Sequence, residues 1–162
     1  MNTLGVNYQL ARPTPMDYSP FAFLAFFIAM WLVVTALLSV LSGWFSLADT
    51  FRKDDAPSGE KFNSVSGATG PSVFPVNYYH CLNVVVTTNG LHIRIFFLFR
   101  ILSPPLLILW AAVEEVTSKR LFFFFPYVKI KIRNKWQCIS IYGKASNAIL
   151  AAYSNSTGSN KR

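Results

Sequence analysis

The chain has 162 residues, of which 52% are hydrophobic, 16% aromatic and only 14% charged, with a net charge of +8. That balance excludes a disordered polar chain and leans toward the membrane class, and the length allows one domain with a real core beside a membrane segment. Cys81 and Cys138 form no CxxC and have no His or Cys at zinc-ligand spacing, which argues against a zinc module and favours two reduced, buried thiols over a disulfide.

Residues 1–18 read as an extended arm, because Pro13, Pro15 and Pro20 crowd a short polar stretch. The run Phe21–Leu41 then has 21 residues without charge, Pro or Gly. As a helix it spans about 30 Å, the thickness of a hydrocarbon core, so residues 19–43 are predicted to form a transmembrane helix stopped by Gly43. A cleaved signal peptide fits less well, since the run is too long and no basic excess precedes it. Arg52, Lys53 and Lys61 follow the run and Arg12 alone precedes it, which orients the N-terminus outside and the rest of the chain in the cytoplasm. Thr35, Ala36 and Ser39 make a small-residue face that a neighbouring helix could approach.

Residues 44–59 are predicted to be a juxtamembrane segment and linker. Trp44 and Phe45 sit at the depth of an interfacial aromatic belt. Trp44, Leu47, Ala48 and Phe51 share one helical face, with Asp49, Arg52 and Lys53 opposite, so either a short helix lies at the membrane surface or against the domain, or the membrane helix simply runs on past the interface.

Residues 60–153 read as a mainly antiparallel β domain. The expected elements are a strand at Lys61–Val65, a turn at Ser66–Gly70, a strand at Tyr79–Thr88, a type I′ hairpin at Asn89-Gly90 and a return strand at Leu91–Phe99. A loop stiffened by Pro104-Pro105, a strand from Leu106 to about Val116 and a polar turn at Thr117–Arg120 follow. Strands at Leu121–Arg133 and Trp136–Tyr142 and a helix at Ala145–Tyr153 complete the domain. Residues 154–162 read as a basic, disordered tail. A second membrane span at Ile95–Val113 is the competing reading, opposed by Arg100 and two prolines near its centre. Five or more antiparallel strands closed by a helix outline a pleckstrin-homology-like (PH-like) barrel or sandwich.

The segment His80–Trp110 resembles a group of small bacterial proteins that share an Asn-Cys-Leu strand, a Gly-Leu hairpin and an LFxFRxxxPPLxIxW core. The matching positions are Cys81, Leu82, Gly90, Leu91, Phe99, Arg100, Pro104, Pro105, Leu106, Ile108 and Trp110, with Trp44, Leu47, Ala48 and Phe51 also in the pattern. Ser103 stands where that group often has His, and Leu109 where it has Pro. The resemblance implies a PH-like domain and brings no activity with it; with the apolar run and its flanking charges, the expected location is a bacterial inner membrane.

From Val116 onward the chain has nine basic residues and no acidic one. Lys129, Lys131 and Arg133 alternate along one strand face, with Lys119, Arg120 and Lys135 in adjoining turns, a pattern suited to anionic lipid headgroups or a protein partner. The alternative is a solvated face. Nucleic acid is disfavoured, because Phe122–Phe125 and Tyr127 read as core or membrane-facing. Arg100, Pro104, Pro105 and Trp110 read as a structural loop anchor, the guanidinium capping carbonyls or stacking on the indole. His80 and Cys81 are strand neighbours on opposite faces, and His92 reads as a structural or surface histidine rather than a ligand. Asp54-Asp55 and Glu114-Glu115 lack metal-spaced partners, and no GxSxG, GxGxxG or P-loop is present, so neither catalysis nor a cofactor is expected. The reading that results is a single-pass membrane protein whose PH-like domain binds a partner or anionic lipid, with an accessory subunit of a larger membrane complex as the alternative.

Overall fold

The computed structural model describes residues 19–100, 103–121 and 125–159, so the expected arm at 1–18, Phe122–Phe124 and the last three residues of the tail lie outside it. The chain forms two compact units, Met1–Leu32 and Val33–Arg162.

Helix α1, Pro20–Leu41, runs through both units and is the one helix among the described residues long and apolar enough to cross a membrane. In the first unit its large side chains are exposed, and Phe27 stacks on Trp31 with ring centroids 6.5 Å apart. In the second unit, α1 ends at Gly43, whose left-handed backbone (φ 67°) donates its N–H to Val40 O at 2.9 Å. Glycine is suited to such a helix end, because a Cβ in that conformation is strained and here would also meet the Gln137 side chain at 2.6 Å. The turn redirects the chain into α2, Trp44–Phe51, which buries the predicted face of Trp44, Leu47 and Ala48 against the domain. Trp44 is therefore not an interfacial belt residue. It is fully buried, its indole N–H bonds Pro104 O at 2.8 Å, and its ring meets Tyr78 edge-on.

Seven strands follow where at least five were expected: β1 Glu60–Gly70, β2 Val76–Val86, β3 Gly90–Ile95, β4 Leu106–Leu109, β5 Val113–Leu121, β6 Phe125–Ile132 and β7 Cys138–Tyr142. They form one curled antiparallel sheet in the order β4-β3-β2-β1-β7-β6-β5, so the first and last strands pair in the middle. The expected turn at Ser66–Gly70 is strand, because β1 resumes pairing after two irregularities. The expected turn at Thr117–Arg120 is also strand, with Lys119 opposite Tyr127 and Arg120 opposite Pro126. Residues 95–113 hold the end of β3, a 3-10 turn at Phe97–Phe99, β4 and a second 3-10 turn at Trp110–Ala112, not a second membrane helix.

The β2–β3 turn does not use a type I′ geometry, since neither Asn89 nor Gly90 has positive φ. Thr87 makes it instead: its hydroxyl oxygen accepts the N–H of Asn89 at 3.3 Å and of Gly90 at 3.0 Å. Gly90 is required for space, because a Cβ there would lie 2.4 Å from Ile108 O on β4.

The core lies on one face of the sheet, built from Leu82, Val84, Leu91, Ile93, Ile108, Ile130, Ile139, Ile141 and their neighbours. Helix α3, Lys144–Ser159, covers it with Ala145 and Ile149, and Tyr153 meets Trp110 edge-on. It is six residues longer at its C-terminal end than the expected helix ending at Tyr153. Ser154, Ser156 and Thr157 bond back to carbonyls one turn earlier, which lets a polar stretch stay helical.

Candidate functional site

The basic strand face is assembled as its alternation predicts. Register places Thr117 opposite Lys129, Glu115 opposite Lys131 and Lys119 opposite Tyr127, so these side chains share one side of β5–β6. Much of its charge is engaged within the chain. Lys131 Nζ lies 2.7 Å from Glu114 Oε1, and that hydrogen bond raises the Lys131 pKa. Lys129 donates to the Ser72 hydroxyl, and Lys135 donates to Ser46 O at 2.8 Å. Among the described residues, Lys119, Arg120 and Arg133 remain exposed without an ion-pair partner.

The Arg100 loop is held differently from the expected arrangement. Arg100 lies 3.9 Å from Asp54, which also faces Arg52 at 3.7 Å. These groups are solvent-exposed, so each pair contributes about 0–1 kcal/mol. Pro104 and Pro105 are fixed through their carbonyls, by the Trp44 indole and by the Lys53 backbone N–H at 3.1 Å. Trp110 serves a different place, donating to Thr87 O at 3.1 Å while its ring meets Tyr153. A cleft of ≈ 630 Å³ opens beside Arg100, lined by Phe45, Asp49, Arg52, Asp54 and Pro104.

His92 is buried on β3, and its Nε2 lies 3.3 Å from Lys53 O. A carbonyl only accepts, so Nε2 carries the proton. Burial lowers the His92 pKa below 6.5. Cys81 and Cys138 are free and half-buried rather than fully buried, and the Cys81 thiol donates to Tyr79 O.

A third region has no counterpart in the sequence reading. A groove of ≈ 680 Å³ lies along β1, β2 and the β7–α3 corner, lined by Phe62, Ser64, Tyr79, His80, Tyr142 and Lys144. Ser64 (φ 53°) and His80 (φ 52°) are both left-handed, a costly conformation for residues with a Cβ. They hold each other: His80 Nδ1 lies 3.1 Å from Ser64 O, and His80 N–H donates to Ser66 Oγ at 3.1 Å. The same acceptor argument puts a proton on His80 Nδ1. Tyr142 packs on Tyr127, ring centroids 5.4 Å apart, and burial raises its pKa above 10.0. The sequence signal for this site is slight: Phe62 and Val65 are spaced by three, a break in strand alternation that marks a bulge.

No family model and no curated protein matches the chain.

Proposed function

We propose that this is a single-pass membrane protein whose PH-like β domain acts by binding a protein partner, on the cytoplasmic side of a bacterial inner membrane. The observation that carries the membrane part is α1, whose large apolar side chains are exposed from Phe21 to Leu41. Water would oppose that exposure, whereas lipid or another helix would accept it. The curled seven-stranded antiparallel sheet with a C-terminal helix supports the PH-like reading. The Ser64–His80 groove supports binding, because strained backbone and an imidazole gather on an open, mostly apolar surface. Anionic lipid is the second reading, favoured by the unpaired Lys119, Arg120 and Arg133. A role as accessory subunit of a larger membrane complex keeps the aromatic stretch Phe21–Phe27 of α1 as its docking face. Thr35 and Ser39, the small-residue face expected to receive another helix, are buried within this chain.

The test is photocrosslinking of the full chain in its native membrane, with a photoreactive residue at Tyr79 in the groove. Adducts of discrete protein mass are expected. Adducts to lipid alone, or none, would contradict the proposal. A fragment beginning at Lys53 is unsuitable, because it lacks the core residues Trp44 and Leu47.

A further inference from the structure

We infer that the β domain is seated in the bilayer interface by an apolar rim around the end of α1, with lipid as the occupant of that rim. The inference rests on the reading that α1 crosses a membrane. Its first support is overlap. Along the last two turns of α1 one edge packs on the domain, where Thr35 and Ser39 are buried and Ser103 Oγ donates to Ser39 Oγ at 3.2 Å, while Leu37, Leu38, Val40 and Leu41 stay exposed. Tyr78 and Phe99 line the same small cavity as Thr35 and Ser39. Burial raises the Tyr78 pKa, against the Ser42 and Thr69 hydroxyls, which act to lower it. At about 1.5 Å per residue, the 22 residues of Pro20–Leu41 just reach across a hydrocarbon core of about 30 Å, so the last two turns are needed for the span. A helix that crosses with those turns packed on the domain draws the domain into the interface.

The second support is what the loops beside α1 carry. Three strand connections, which ordinarily end in polar residues, expose large apolar ones: Phe74 (80% exposed) and Val73 between β1 and β2, Phe97 (68%) with Phe96 and Leu98 between β3 and β4, and Trp136 (57%) between β6 and β7. All three connections meet the end of α1. Gly70 lies against Leu41, Ser42 and the Phe74 backbone, a side chain at Gly43 would meet the Trp136 ring at 2.9 Å, and Phe99 faces Ser39. The rim thus continues the apolar surface of α1 outward. Lys129, bonded to Ser72 beside Val73, and Lys135, beside Trp136, place ammonium groups at its edge, where headgroups would lie. A domain packed along the end of α1 and an apolar collar at the same level have one common explanation, which is that the collar lies in the interface with that end.

The experiment uses the full chain with Cys81→Ser and Cys138→Ser, reconstituted in phosphatidylcholine–phosphatidylglycerol vesicles. A nitroxide is attached in turn at Ile28→Cys, Phe74→Cys, Phe97→Cys and Tyr79→Cys, and its collisions with oxygen and with a water-soluble nickel complex are compared. Labels at 28, 74 and 97 are expected to favour oxygen, and the label at 79 the nickel complex. Label 28 in lipid with 74 and 97 in water overturns the seated rim and leaves the membrane span standing. Label 28 in water overturns the span itself. Labels 74 and 97 shielded from both reagents place a protein on the rim and overturn lipid as its occupant. Trp136→Phe, an exposed change that leaves the core intact, gives a second readout: brominated lipids should quench a smaller share of tryptophan emission than in the parent protein, and an unchanged share counts against the rim.

Discussion

The apolar rim and the basic strand face are both exposed, yet they differ in what they lack. Lys129 and Lys131 each have a partner on their own chain, Ser72 and Glu114. Phe74, Phe97 and Trp136 keep most of their surface open to whatever surrounds the protein. Water satisfies a lysine without help and repels an aromatic ring, so unmet demand for an environment lies in the rim and not in the charge. A run of positive residues, conspicuous in a sequence, can thus be answered in part within the fold. Scattered loop aromatics become one surface only once the strands bring them together.

The largest expected effect comes from removing the strut behind the rim. Trp44→Ala deletes a fully buried indole and its bond to Pro104 O, and should destabilise the protein by about 3–5 kcal/mol, read by chemical unfolding in detergent. A loss below about 1 kcal/mol would show Trp44 to be an interfacial residue after all. Gly90→Ala tests the sheet that carries the Phe97 connection. Its Cβ would press on Ile108 O, and a loss of about 1–3 kcal/mol is expected by the same assay.

A smaller, pH-dependent effect is expected at His92. Its folded pKa lies below 6.5, so the unfolded chain binds the proton more readily. Its contribution is present in full above pH 6.5 and is lost as pH falls below that value. Thermal midpoints should decline across that window in the parent protein and decline less in His92→Gln. Equal slopes would remove His92 from the account. The smallest effect belongs to the basic face. Lys131→Ala and Glu114→Ala, alone and together, should leave the unfolding midpoint within error, because both groups are solvent-exposed.

Some of this was legible in the sequence for physical reasons. The uninterrupted apolar run of α1, the i, i+3, i+4 face of α2 and the alternation of Val128, Ile130 and Ile132 with Lys129, Lys131 and Arg133 are periodic, and periodic signals survive without tertiary context. Features set by distant contacts were not. Trp44 read as a belt residue because nothing local shows that Gly43 turns the chain back toward Pro104. Thr35 and Ser39 read as a surface for another helix because Ser103, which bonds Ser39 and lines the same cavity as Thr35, lies more than sixty residues away. Thr117–Arg120 read as a turn because a strand at the sheet edge can be polar. The Ser64–His80 groove depends on two bulged strands meeting, and each strand alone shows only a broken alternation.

The comparison of rim and basic face can be measured directly in one preparation. Nitroxides placed at Phe97→Cys and at Lys131→Cys, in full-length protein lacking Cys81 and Cys138 and held in lipid vesicles, report whether each site collides more with oxygen or with a water-soluble nickel complex. The account predicts oxygen at 97 and the nickel complex at 131. Residue 97 in water, with or without 131 in lipid, would contradict it.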